Sequence, residues 1–319
     1  MRLMLFYDRP ERLLDILQRR APDAEIACCT DYESLPRMIA AHMPEVLYTI
    51  RFGGAPDYPR QAILDQPSLR WVSVGGSGTD HLAPWDPGRL TVTNSAGVGA
   101  PTMAQYAIAA MLHFSLGLPQ FAREQRQRHW DFSSKVGSVE GRTLAILGLG
   151  KTGRATARLA KALGMRVLGL RANPAPTPDV DQVHAVSDLD SVLPEADFLL
   201  LCLPLTAATR GLMDAQAFGH LKPGAVLIDV SRGGIMRQPA LIEALQSGRL
   251  GGAALDVFET EPLPPDNPLW GMANVILTPH CSSVYDGWDR RSMDMFCDNL
   301  DRWRQGLPLE NVVDPARGY

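Results

Sequence analysis

Three loops in the second half of a 319-residue chain carry polar residues at the ends of short apolar runs. Arg232 closes "LIDVSRGG". "ALDVFETEPLPP" carries Asp256, Glu259 and Glu261, and "VILTPHCSS" carries His280. A guanidinium can hold a carboxylate and polarise a neighbouring ketone. An imidazole, with an ordinary pKa near neutrality, can protonate a forming alkoxide. A carboxylate beside that imidazole favours its protonated form. Together, Arg232, Glu261 and His280 meet the needs of hydride transfer to a 2-keto acid. Singly, each also has a plain structural use, as an ion pair or a cap.

Hydride chemistry calls for a nucleotide site, and "LAILGLGKTGRATARLAKALG" offers one. Gly148, Gly150 and Gly153 have the GxGxxG spacing, after a strand pattern and at the start of a helix pattern. Gly148 permits the tight turn, Gly150 lets the backbone approach a pyrophosphate, and Gly153 lets the helix pack on the strand. The helix N-terminus presents N–H groups and the positive end of its dipole to phosphates. The turn residues Gly148, Leu149, Gly150, Lys151, Thr152 and Gly153 are therefore expected at the cofactor.

The second strand of this unit, in "RVLGLRANP", closes on Arg171. An NAD-binding unit would place an acid about 20 residues past the glycines, for the ribose hydroxyls. No Asp or Glu lies between Arg166 and Pro178. An Arg there pairs with a 2′-phosphate, and Asn173 can add a hydrogen bond. The expected cofactor is NADPH, with NADH also open.

Short apolar runs alternate with helical patterns almost throughout. "RLMLFYD", "AEIACCT", "EVLYTIR", "LRWVSVGG" and "LTVTNSAG" read as strands in the first half. "TLAILGLG", "MRVLGLR", "ADFLLLCLP", "AVLIDVSR", "GGAALDVF" and "NVILTPH" read as strands in the second. Such alternation implies α/β units with parallel sheets covered by helices. A long apolar helix is expected from Pro101, and a helix ending on Gly248. The polar stretch "REQRQRHWDFSSKVGSVEG" has no clear period and is expected to be a connection or a subunit contact. A last helix, "YDGWDRRSMDMFCDNLDRWRQG", is expected to return to the first unit.

The composition is that of a soluble globular protein, 45% hydrophobic and 21% charged. A net charge of −4 supplies no basic field for nucleic acid. The longest apolar runs are strand-length, too short for a membrane span. The first residues read as a strand and helix, not a signal peptide. None of the five cysteines forms a CxxC pair, so buried thiols in a reducing cytoplasm are expected, and no metal site. Cys281, beside His280, has a redox-sensitive alternative.

The chain resembles the D-2-hydroxyacid dehydrogenases. "SVGGSGTDHL", "GLGKTG", "LPLTAATRGLM", "DVSRGG", "LDVFETEPLP" and "TPH" run through nearly the whole chain in that family's order. "LPPDNPLW", "RHW" and "VDPARGY" are most similar to the glyoxylate/hydroxypyruvate reductase branch, which commonly uses NADPH. The resemblance implies two Rossmann-like domains with an active site in the cleft between them, and a homodimer. Residues 1–98 with 284–319 would form the substrate domain, and 99–283 the dinucleotide-binding domain. It implies the roles just given to Arg232, Glu261 and His280. It places the substrate carboxylate at the N–H groups of Ser77 and Gly78, with Arg51 of "YTIRFGG" a second candidate. It places Leu203, Pro204, Thr206 and Ser231 at the cofactor and Asp256 at the nicotinamide amide. Trp130 and Trp270 line the pocket or the dimer contact, or simply pack.

The family often has two glycines soon after the histidine, and here Cys281, Ser282 and Ser283 stand there, which would narrow the site. Glu261 disfavours the formate dehydrogenase branch, which places Gln there. The regulatory domain of many phosphoglycerate dehydrogenases is not expected. The expected activity is NADPH-dependent reduction of glyoxylate or hydroxypyruvate to the D-2-hydroxy acid. Reduction of bulkier acids such as phenylpyruvate, or a nucleotide-sensing corepressor-like role, are the alternatives.

Overall fold

The structure, a computed structural model, describes residues 1–51, 57–315, 317 and 318. The "FGGAP" that follows Arg51, and Ala316 and Tyr319 of "VDPARGY", lie outside the described residues. The strands are β1 (Arg2–Phe6), β2 (Glu25–Cys29), β3 (Val46–Thr49), β4 (Trp71–Val74), β5 (Thr91–Asn94) and β6 (Thr143–Leu147). They continue as β7 (Arg166–Arg171), β8 (Gln182–Ala185), β9 (Phe198–Leu201), β10 (Ala225–Asp229), β11 (Leu250–Leu255) and β12 (Val275–Leu277). The helices are α1 (Leu14–Arg20), α2 (Leu35–His42), α3 (Arg60–Leu64), α4 (Ala100–Ser115) and α5 (Leu118–Gln127). After these come α6 (Lys151–Ala162), α7 (Leu189–Val192), α8 (Ala215–His220), α9 (Gln238–Gln246) and α10 (Trp288–Arg304).

The chain divides into two compact units, Met1–Val98 with Tyr285–Tyr319, and Gly99–Val284. The first holds a parallel sheet in the order β2-β1-β3-β4-β5. Leu3 and Leu5 of β1 face Ile16 and Leu17 of α1 and Met293, Phe296 and Leu300 of α10. Met4 and Phe6 face the other way, onto Leu35, Ile39 and Ile63 of α2 and α3. This period of two, with both faces covered, is why the strands read as nearly unbroken apolar runs.

The second unit repeats the plan with a parallel sheet in the order β12-β11-β10-β9-β6-β7-β8. Ala145 and Leu147 of β6 face the cluster built with α7, α8 and α9. Leu144 and Ile146 face α4 and α6. Pro101 sits in the first turn of α4, where its missing N–H costs nothing. Gly248, at φ +76°, takes the left-handed position just after α9.

Several elements were not named from the sequence, among them the short helices α3, α7 and α8, the strand β8 and the helix α5. β8 is a half-buried edge strand without hydrophobic alternation. The first part of the polar stretch is helical, as α5, and no residue of that helix is buried. Trp130 and Trp270, 80% and 57% exposed, belong to no core cluster among the described residues. Among the described residues, no helix is long and apolar enough to cross a membrane, and no cluster of three or more His, Cys, Asp and Glu could hold a metal ion.

In the second sheet the strand order reverses between β6 and β9, the position where open α/β sheets bind ligands beyond their strand ends. The glycine turn lies there. Gly148 has φ +105°, and a Cβ on it would come 2.8 Å from the Cys202 carbonyl. A Cβ on Gly153 would overlap the Gly148 carbonyl. Gly153→Ala is therefore expected to cost about 1–3 kcal/mol through overpacking. An unchanged midpoint in urea unfolding would show that the turn relaxes freely.

Candidate active site

The acidic loop after β11 carries three carboxylates, and the structure gives each a different task. Glu259 accepts the Gln238 N–H at 3.1 Å, at the start of α9. Asp256 is 1% exposed. Its Oδ1 accepts from the Thr278 hydroxyl at 2.6 Å and the Cys281 N–H at 2.9 Å, and its Oδ2 from the Ser282 N–H at 3.0 Å. These donors flank His280 on both sides, so the buried carboxylate fixes the loop that carries the imidazole. His280 itself has φ +53°, in the left-handed region that non-glycine residues seldom adopt, and its N–H donates to Thr278 O.

Glu261 is the acid that meets the histidine. His280 Nδ1–H donates to Glu261 Oε2 at 2.9 Å, and the Phe258 N–H donates to Glu261 Oε1 at 3.0 Å. Burial alone would raise the Glu261 carboxyl. The bonds from His280 and Phe258, with the charges of His280 and Arg232, outweigh burial and hold it below its usual value. With Nδ1 engaged, Nε2 is the ring nitrogen left for proton transfer.

Arg232 follows β10 on a turn built by a second buried acid. Asp229, fully buried, accepts both the N–H of Ser231 at 2.8 Å and its hydroxyl, through Oδ1. The Arg232 guanidinium donates to Ser231 O at 2.7 Å. A Cβ on Gly233 would overlap the Phe258 carbonyl, so only glycine lets this turn lie against the loop leading to Glu261. Asp229 and Asp256 sit at the tips of neighbouring strands, joined where the Asp256 N–H donates to Asp229 O at 3.0 Å. Burial pushes the Asp229 carboxyl up to about 7. Asp256 adds to that push, and Ser231 and Arg232 oppose it.

The remaining expected residues fall in two places. Around the glycine turn, Gly150 caps α6, and a Cβ on it would meet no protein atom within 4 Å. Lys151 is exposed at the first position of α6. Leu149 and Leu203 are buried in the cores, and a Cβ on Gly169 would lie 2.5 Å from Leu149 Cδ1. The Thr152 hydroxyl lies 3.6 Å from Met103 Sδ. Thr206 and Pro204 are bound into a local turn by the Thr209 hydroxyl. Arg171 is half-buried at the end of β7, and Asn173 is exposed two residues on. In the first unit, Arg51 and Ser77 are exposed and Gly78 is half-buried.

The cysteines are all free. Cys281 is exposed, but what burial it has, together with Asp256, pushes its thiol up, the opposite of activation. Ser282 is buried, and Ser283 lies against Gly99, where a Cβ would meet the Ser283 Cβ at 2.6 Å.

A family model described as "D-isomer specific 2-hydroxyacid dehydrogenase, NAD binding domain" matches residues 108–282. The chain belongs to this family of NAD(P)-dependent oxidoreductases. It is 34% identical to a glyoxylate reductase of Korarchaeum cryptofilum over 260 residues, covering 78% of this chain and 77% of that one. A D-isomer specific 2-hydroxyacid dehydrogenase from Xanthobacter autotrophicus Py2, solved with NADPH and MES, is similar at TM-score 0.84 and 32% identity, covering 99% of each chain. An NADPH-dependent glyoxylate/hydroxypyruvate reductase from Sinorhizobium meliloti, solved with NADP and sulfate, is similar at TM-score 0.84 and 28% identity, covering 100% of this chain and 99% of that one.

The two strand-tip acids were not separated by sequence reasoning. Asp229 was overlooked, although an acid two residues before a serine in a turn is a known capping signal. Its raised pKa has a testable sign. Between the ordinary carboxylate value near 3.8 and about 7, the unfolded chain has lost this proton and the folded chain keeps it. The associated stability is fully present below that window and is lost as pH rises through about 7. Asp229→Asn carries no such proton. Its urea midpoint should gain on the wild type as pH rises across this window and hold a constant difference above it. Parallel profiles at all pH values would contradict the assignment.

Proposed function

We propose that the chain uses NADPH to reduce a small 2-keto acid, glyoxylate or hydroxypyruvate, to the D-2-hydroxy acid. The observation that carries the reading is the 2.9 Å contact between His280 Nδ1 and Glu261 Oε2, within reach of the Arg232 charge. Arg232 pairs with the substrate carboxylate and polarises the ketone. His280 holds a proton at Nε2 and delivers it to the carbonyl oxygen as negative charge develops there. Glu261 keeps the imidazole oriented through the bond to Nδ1. Asp256 and Asp229 hold the two loops still. The N–H groups of Ser77 and Gly78, and Arg51, are assigned to the substrate carboxylate from the family resemblance.

The residues of the glycine turn fit a dinucleotide. Gly150 leaves its approach clear, and the first turn of α6 offers N–H groups to a pyrophosphate. Leu203, Pro204, Thr206 and Ser231 are assigned to the cofactor from the family resemblance; the Leu203 side chain is packed in a core and the Thr206 and Ser231 hydroxyls are already bonded. When bound, the reduced nicotinamide supplies the hydride for the carbonyl carbon. Arg171 and Asn173 are assigned to the 2′-phosphate. The relatives that act on glyoxylate and hydroxypyruvate, and the neighbours solved with NADPH or NADP, support substrate and cofactor alike. A cytoplasmic homodimer belongs to the same proposal: the homodimer rests on the family resemblance, and the compartment on the cysteines, none of which forms a CxxC pair.

The test is steady-state oxidation of NADPH and NADH with glyoxylate, hydroxypyruvate and phenylpyruvate. NADPH with the small acids should be preferred. Arg171→Ala should cut the preference for NADPH over NADH by roughly 10- to 100-fold, the loss of a charge-assisted hydrogen bond. A preference for phenylpyruvate would overturn the substrate, and an unchanged cofactor ratio would remove Arg171 from the phosphate.

A further inference from the structure

Beyond β4 the chain passes through a short loop, 75–78, and each carbonyl from Val74 to Ser77 has a partner. Val74 O lies 3.2 Å from the Ser95 hydroxyl. Gly75 O accepts from the Ser292 hydroxyl at 2.9 Å, and Gly76 O from the Ser95 N–H at 2.9 Å. Ser77 O accepts from Asn94 Nδ2 at 2.7 Å. These peptide bonds are trans, so each N–H points opposite to the preceding carbonyl. The N–H groups of Gly76, Ser77 and Gly78 therefore face away from Asn94, Ser95 and Ser292. None of the three has an acceptor among the described residues. Successive N–H groups aimed to one side form an anion nest.

The tie at Gly75 runs to a buried hydroxyl cluster. Ser292, on α10 and 0% exposed, has its Oγ 2.8 Å from the Tyr48 hydroxyl and 2.7 Å from the Ser95 hydroxyl. With Val74 O and Gly75 O included, three hydroxyl protons serve four contacts, so each hydroxyl constrains the others. Burial keeps Tyr48 a phenol. The loop rests directly on this cluster: a Cβ on Gly75 would come 2.6 Å from the Tyr48 hydroxyl. Asn94 is likewise fixed, its Oδ1 accepting the Ala96 N–H at 3.1 Å.

We propose that Asn94 and Ser292 are positioning residues of the carboxylate site, which by holding the Ser77 and Gly75 carbonyls aim the Gly76, Ser77 and Gly78 N–H groups at the substrate. The inference rests on the reading above that this loop binds the carboxylate. Losing one tie frees a peptide to rotate and to present its carbonyl to the anion. The carboxylate charge does not change during hydride transfer. The loss therefore falls equally on ground state and transition state, raising KM and leaving kcat.

The experiment compares wild type with Asn94→Ala and Ser292→Ala, both checked for folding by thermal unfolding. It measures kcat and KM for glyoxylate with NADPH, NADPH affinity, and the dissociation constant of oxalate from the NADPH complex. KM and the oxalate constant should rise together, roughly 10- to 100-fold, with kcat and NADPH affinity retained. Unchanged constants in a folded variant, or a fall in kcat and NADPH affinity with them, would overturn the proposal. Either variant alone suffices if the other does not fold. A wild type that reduces no 2-keto acid sinks the functional reading instead, and oxalate then decides. Weaker oxalate binding in the variants retains the positioning role, and equal or absent binding by wild type ends it.

Discussion

At the tip of β11 one buried carboxylate accepts three donors from a single short loop, and that loop carries His280. A buried carboxylate without partners would be costly, so the loop and the acid constrain each other. Next to it, at the tip of β10, Asp229 does the same for the turn that carries Arg232. The parallel register of β10 and β11 sets the spacing of the two acids, and hence of the two turns. Arg232 and His280 placed this way depend on the sheet for their positions.

Glycine supplies the second half of the arrangement. Gly233 lets the Arg232 turn lie on the backbone at Phe258, three residues before Glu261. Gly148 and Gly153 let turn, strand and helix meet at the point where strand order reverses. In the first unit Gly75 lets a loop rest on a phenol and two serines. In each case a Cβ would have to occupy space already filled by a backbone carbonyl or a buried side chain.

The strands of both sheets were legible because parallel strands covered on both faces read as apolar runs, and the glycine spacing names its own turn. The edge strand β8 was not, since "QVHA" has neither alternation nor an unbroken apolar run to mark it. Helix α5 was missed because it buries none of its residues in this chain. Arg232, Glu261 and His280 stood out by residue type and by their place after apolar runs. The distinct tasks of Asp256, Glu259 and Glu261 did not, because they depend on which N–H groups the fold brings to each oxygen. The carbonyl ties from Asn94 and Ser292 were hidden for the same reason: Ser292 lies more than two hundred residues from Gly75.

The central claim is that His280, held by Glu261, delivers the proton. The most direct test is kcat for glyoxylate reduction by His280→Ala, with NADPH affinity measured in parallel. Loss of a general acid should lower kcat by about 100-fold or more while NADPH binding persists. Turnover at the wild-type rate would contradict the account, and the Glu261–His280 pair would then be a structural contact in a site whose proton comes from elsewhere.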